Sequence, residues 1–124
     1  MDLKALGEAV KTANETNTVT ALLDQHYADD CVSVEAMPMP GTDSAETAGL
    51  DAIRGKHAWW DNAMEFVSGA IEGPYLHGDD RFALIFKSVF REKENGKEMP
   101  VEEVAIYSVV DGKIAREEFF YTMP

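Results

Sequence analysis

The sequence predicts an α+β fold: a conical (cystatin-like) domain whose curved, mostly antiparallel sheet has three N-terminal helices covering its concave face. Two observations carry the prediction. Helical periodicity dominates the first half of the chain, whereas residues 81–121 alternate apolar and polar as strands do. Helices followed by a run of strands is the α+β order. The pairs Asn95-Gly96 and Asp111-Gly112 then fold the C-terminal part into an antiparallel meander, because such pairs favour tight hairpin turns.

The elements follow in order. Leu3, Leu6 and Val10 recur at helical spacing and predict a helix from Asp2 to about Ala13. The polar run Asn14–Asn17 interrupts it, and Thr18 is positioned to cap a second helix carrying Val19, Leu22, Leu23 and His26. Residues 27–30 close that helix and lead into a short strand, Cys31–Glu35. Two prolines and a glycine make Met37–Ala48 a loop. A third helix runs from Leu50 to about Phe66, with Ile53, His57, Trp60 and Met64 on one stripe and Trp59, Ala63 and Phe66 beside it. Gly73-Pro74 marks Ser68–His77 as a kinked or edge strand.

The final hairpin organises the chemistry. A two-residue Asp111-Gly112 turn sets Val110 opposite Lys113, and counting outward puts Tyr107 opposite Arg116, Ala105 opposite Glu118 and Glu103 opposite Phe120. Glu103, Ala105, Tyr107 and Val109 then share a face with Ile114, Arg116, Glu118 and Phe120. A tight Asn95-Gly96 turn sets Ser88 opposite Glu103, Phe86 opposite Ala105 and Leu84 opposite Tyr107. Both registers put Phe82, Leu84 and Phe86 on that same face, which becomes the one the helices cover. The opposite face carries Ile85, Val89, Val104, Ile106, Phe119 and Tyr121 among Lys87, Arg91, Glu102 and Glu117. It is too apolar to stand exposed, so a homodimer through the sheet is expected.

Composition bounds the function. The 124 residues suffice for one domain, residues 1–124, with 45% apolar and 10% aromatic content. With 23 acidic against 11 basic residues, the formal charge of −12 repels phosphate backbones and anionic membranes, so neither nucleic acid nor membrane is an expected partner. The N-terminus lacks a signal-peptide core, and the lone Cys31 excludes an internal disulfide and fits a reducing cytoplasm, which is the expected location. His26, His57 and His77 lack metal-ligand spacing, and no glycine-rich phosphate loop appears, so no metal and no cofactor is expected.

The residues Tyr27-Ala28-Asp29-Asp30, Gly49-Leu50-Asp51-Ala52-Ile53-Arg54-Gly55 and Asp111-Gly112-Lys113-Ile114 resemble the SnoaL-like branch of the superfamily of nuclear transport factor 2, ketosteroid isomerases and polyketide cyclases. The order of elements fits over essentially the full length. The resemblance implies a conical domain, usually dimeric through the sheet, with a pocket between helices and sheet. By the same resemblance, Glu35 matches the general-base aspartate of ketosteroid isomerases, and Glu103 matches their protonated, oxyanion-stabilising aspartate. The tyrosine those enzymes carry on the first helix has no counterpart, the matching position being near Lys11.

The residues themselves support a concrete division of labour. A carboxyl in an apolar pocket has its pKa raised, more so beside a second carboxylate, and can stay protonated to donate a hydrogen bond to a developing oxyanion. Glu103, with Glu118 diagonal to it, is placed for that task. Ionised Glu35 can take a proton alpha to a carbonyl, and Tyr107 can add a hydrogen bond. Arg116 has two open readings: it neutralises Glu103 and Glu118 in a structural cluster, or it holds an anionic ligand group. His57 reads as a core histidine or a pocket acid/base. Tyr27, Trp60, Met64, Phe86 and Phe120 complete the expected ligand-contacting set. The expected function is a cofactor-independent isomerase, cyclase or (de)hydratase acting on a small, partly apolar carbonyl compound. The alternatives are a binding protein without turnover, or a dimeric interaction module whose pocket is filled by its own side chains.

Overall fold

Asp2 starts the first helix, α1 (Leu3–Glu15), by accepting the Ala5 backbone N–H at 2.7 Å. The computed structural model describes residues 1–39 and 41–122; Pro40, in the expected loop, and Met123 and Pro124 lie outside the described residues. Leu6, Val10 and Ala13 form the buried stripe of α1. Gly7 lets this helix lie directly on the sheet, since a Cβ there would stand 2.7 Å from the Pro74 ring. Thr18 precedes α2 (Val19–His26) without capping it; its hydroxyl sits 2.9 Å from that of Thr16 instead. No helix among the described residues is long and apolar enough to cross a membrane.

β1 (Tyr27–Val34) begins earlier than expected, and the loop after it contains a short returning strand, β2 (Glu46–Ala48), that pairs Val32 with Ala48. α3 (Leu50–Ala63) ends three residues short of the expected Phe66. Met64 therefore leaves the helical stripe and opens β3 (Met64–His77), where it pairs with Glu92 while Phe66 pairs with Phe90. Long-range strand pairing outweighs the helical spacing of these residues.

β4 (Arg81–Glu92), β5 (Glu98–Val110) and β6 (Lys113–Phe120) complete a six-stranded sheet of order β2-β1-β6-β5-β4-β3. β1 and β6 run parallel; every other pair is antiparallel. The β4–β5 loop is longer than a two-residue turn, so the register differs by two from the expected one: Phe86 faces Glu103, Leu84 faces Ala105 and Phe82 faces Tyr107. An even slip keeps every side chain on its face, and Phe82, Leu84, Ala105 and Tyr107 form the buried core beneath the helices.

The β5–β6 hairpin departs further. Asp111 and Gly112 both have positive φ, 52° and 77°, as a type I′ turn requires, and Val110 faces Lys113 as expected. A bulge then intervenes: Val109 faces Ile114 but Ser108 faces Arg116, which leaves Ala115 as the extra residue. Beyond it Tyr107 faces Glu117, Ala105 faces Phe119 and Val104 faces Phe120. An odd slip turns the strand over. Arg116, Glu118 and Phe120, expected inside, lie on the outer face, while Glu117, Phe119 and Tyr121, expected outside, lie inside. The physical reason is desolvation. A straight ladder would bury an arginine and a glutamate with one aromatic ring, whereas the bulged one buries a single glutamate with two rings.

Candidate functional site

The bulge delivers Glu117 to the centre of the inner face, where it is 1% exposed. Its neighbour on β1 is Ser33, also fully buried, and Glu35 follows two residues later on the same side. α3 crosses above them. Ile53 anchors this helix in the core, and Lys56, one turn further on, reaches down to the sheet. Its Nζ donates to Ser33 Oγ at 2.6 Å, lies 3.3 Å from Glu35 Oε1, and sits 5.0 Å from the centre of the Phe119 ring. A lysine is thus held by a hydroxyl, a carboxylate and an aromatic face.

Electrostatics divide the carboxyls. Burial pushes Glu103 up to about 7, the charge of Glu35 and then Glu117 adding to the effect while Lys56 opposes it. Burial likewise raises Glu117 to about 7; Lys56 and the nearby Tyr27 phenol hold it down, and Glu35 pushes it up. Burial, then the Glu117 charge, keeps the Tyr27 and Tyr107 phenols far above their usual value, so both stay neutral donors. The same causes, with Asp30, raise the Cys31 thiol to about 12, so it is inert near neutral pH. The Glu35 and Lys56 side chains are 18% and 11% exposed, so the cluster reaches solvent at that end and grows drier toward Glu117. Glu35 Oε2, Glu117 Oε1 and His57 Nε2 are buried without a hydrogen-bond partner. Such orphaned atoms are uncommon in folded proteins and mark a place where a donor is wanted.

Of the residues singled out from sequence, Glu35, Glu103, Tyr107 and Tyr27 come together on the inner face, with half-buried Phe86 opposite Glu103. Arg116 and Glu118 do not join them; they pair with each other at 3.2 Å on the outer face, beside exposed Phe120. Trp60 packs edge-on against Phe90 at 5.1 Å, four residues further along β4 from Phe86, and Met64 lies at that same end in β3. His57 is half-buried, and burial and the adjacent Lys56 charge hold its pKa below the usual value. Lys56, Glu117 and Ser33 were missed. Lys56 carried a readable signal, a charged residue at the i+3 position from Ile53 and i−4 from Trp60 on an otherwise apolar stripe. Two surface clefts lie elsewhere, about 370 Å³ between α1 and α2 and about 420 Å³ beside the start of α3, and neither borders the carboxyl cluster.

Comparison with known proteins agrees with this architecture. A SnoaL-like domain model matches residues 8–121. A solved structure from Mesorhizobium loti, described as a SnoaL-like polyketide cyclase with carbohydrate phosphatase as a second designation, is 34% identical, with a TM-score of 0.87 over 98% of this chain and 100% of that one. A Pseudomonas putida structure described as a polyketide cyclase shares the fold at 16% identity and a TM-score of 0.74, covering 99% of this chain and 93% of that one. An NTF2-like protein from Burkholderia pseudomallei does so at 14% identity and a TM-score of 0.72, covering 90% and 84%. No curated protein sequence matches the chain. From the span of the domain match and the identity to the Mesorhizobium protein, the chain belongs to the SnoaL-like family.

Proposed function

We propose that this protein is a cofactor-independent acid/base enzyme of isomerase, cyclase or (de)hydratase type, acting on a small, partly apolar carbonyl compound at the inner carboxyl cluster. The observation that carries the reading is the pairing of unlike carboxyls: Glu103 and Glu117 hold their protons to about 7 beside Glu35, which faces the Lys56 ammonium. Pushing titratable neighbours apart in this way assigns an acid and a base to one site. Glu35 removes the proton alpha to the carbonyl, and protonated Glu103 donates a hydrogen bond to the oxygen on which negative charge develops. Lys56 offsets the charge of Glu35, and neutral Tyr107 lies buried beside these groups. The polyketide-cyclase description of the 34%-identical relative supports this reaction class.

The minimal act of such a site is exchange of an alpha proton with solvent. Proton NMR in D2O, run with a panel of small ketones and β-dicarbonyl compounds, should show catalysed loss of the alpha signal. Glu35→Gln should slow it by about 100-fold or more. Exchange that Glu35→Gln leaves unchanged would contradict the assignment.

A second reading, a ligand-binding protein without turnover, draws on the same orphaned oxygens of Glu35 and Glu117 and needs no proton transfer. A homodimer through the outer sheet face belongs to either reading. Ile85, Val104 and Ile106 lie there beside Phe120 and Tyr75, which are 55% and 54% exposed.

A further inference from the structure

The bulge at Ala115 changes the charge that the inner face offers a ligand. A straight β6 would present Arg116 there and favour an anionic group. The observed register removes that guanidinium and substitutes Glu117. The groups now facing one another are Tyr27 and Cys31 from β1, Glu35 just after it, Lys56 and the neighbouring His57 from α3, Glu103 and Tyr107 from β5, and Glu117 with Tyr121 at the end of β6. Above about pH 7, where Glu103 and Glu117 lose their protons, three carboxyls stand against the one ammonium of Lys56. Glu117 Oε1 and Glu35 Oε2 are also buried without a hydrogen-bond partner. Lys56 itself displays what the site favours: an ammonium seated between a hydroxyl, a carboxylate and a ring face.

We infer that the inner cluster selects a small organic cation, a compound bearing a protonated amine, whose N–H groups satisfy Glu117 Oε1 and Glu35 Oε2 while its carbon body packs beside the Phe119 ring. A metal ion does not fit as well, since no group of three His, Cys, Asp or Glu among the described residues is disposed to hold one. The inference rests on reading this cluster as a ligand site and names the chemical class that site takes; turnover is not required. Binding a cation favours ionised carboxyls, so it releases a proton wherever Glu103 or Glu117 was protonated. Affinity is therefore highest above pH 7 and falls about tenfold per pH unit below it for each proton released.

The test uses n-butylammonium, n-butanol and butyrate as matched probes of one carbon body, in physiological salt, read by amide chemical shifts of the wild-type chain and by calorimetry in two buffers of different ionisation enthalpy. The expected result is saturable shifts at Ser33, Glu103 and Glu117 with butylammonium, at least tenfold tighter than with butanol. Proton release should accompany binding at pH 6, and Glu117→Gln should weaken it at least tenfold. If Glu117→Gln does not fold, the proton release by wild type decides alone. Butanol or butyrate binding as tightly at these residues would overturn the charge preference but leave a ligand site in place. No shift at these residues with any probe would overturn both. Shifts spread over the acidic surface and unchanged by Glu117→Gln would overturn the inference as a general effect of the −12 charge.

Discussion

Tyr107 faces Glu117, not Arg116, across the β5–β6 ladder. That one pairing fixes which ionisable groups the fold encloses. It follows from the extra residue Ala115, so the bulge is the feature on which the composition of the site depends.

Deleting Ala115 removes the bulge but keeps the pairing beyond it, with Ser108 opposite Arg116 and Tyr107 opposite Glu117. Arg116 and Glu118 stay outside, so the deletion should cost about 1–2 kcal/mol and leave Glu103 and Glu117 enclosed. Glu118→Gln in the intact chain should cost no more than about 1 kcal/mol, because its pair with Arg116 is exposed to solvent. Urea denaturation of the two variants checks both values.

Stability should fall as pH rises from about 4.5 to about 7. Glu103 and Glu117 hold their protons more tightly folded than unfolded, so their contribution is fully present below the unfolded value and is lost as pH passes the folded one. The span is on the order of 3 kcal/mol for each group. Denaturation midpoints measured across this range should flatten in a Glu103→Gln, Glu117→Gln double variant.

Lys56→Met should destabilise the protein by about 3 kcal/mol at pH 8 and by less at pH 5. Removing the ammonium leaves Glu35 without its partner and takes away the charge that opposes proton uptake by Glu103 and Glu117. At low pH those carboxyls are neutral and need it less. Ser33→Ala removes only the 2.6 Å hydrogen bond to Lys56 and should cost about 1.5 kcal/mol. Thermal melts at both pH values separate the two effects.

Gly7→Ala should destabilise by about 1–3 kcal/mol, because the new methyl would stand 2.7 Å from Pro74 and force α1 off β3. The inner carboxyls are untouched, so their titration should not move.

Most of the architecture was legible in the sequence. Period-3.6 and period-2 patterning located the three helices and the three C-terminal strands, and the Asp111-Gly112 turn closed the hairpin as its chemistry demands. The β4–β5 register was misplaced by two residues without consequence, because an even slip preserves faces. The β5–β6 register was misplaced by one, and Arg116, Glu118 and Phe120 changed sides with it. Turn type fixes pairing only near the turn. What decided the rest was the burial cost of charge summed along β6, and the sequence Arg116-Glu117-Glu118 offers an acid on either face. Lys56 was overlooked because a lysine on a helix is ordinarily solvated; only the carboxyls and hydroxyl beneath it make a buried one tolerable.

The most direct test of the account is a pH titration of the glutamate side-chain carboxyl carbons by NMR, assigned with Glu103→Gln, Glu117→Gln and Glu118→Gln variants. Glu103 and Glu117 are expected to titrate near 7, as groups enclosed beside Glu35 and Lys56. Both titrating at or below the ordinary 4.5 would place them in water and contradict the enclosed acid pair on which the proposed chemistry depends.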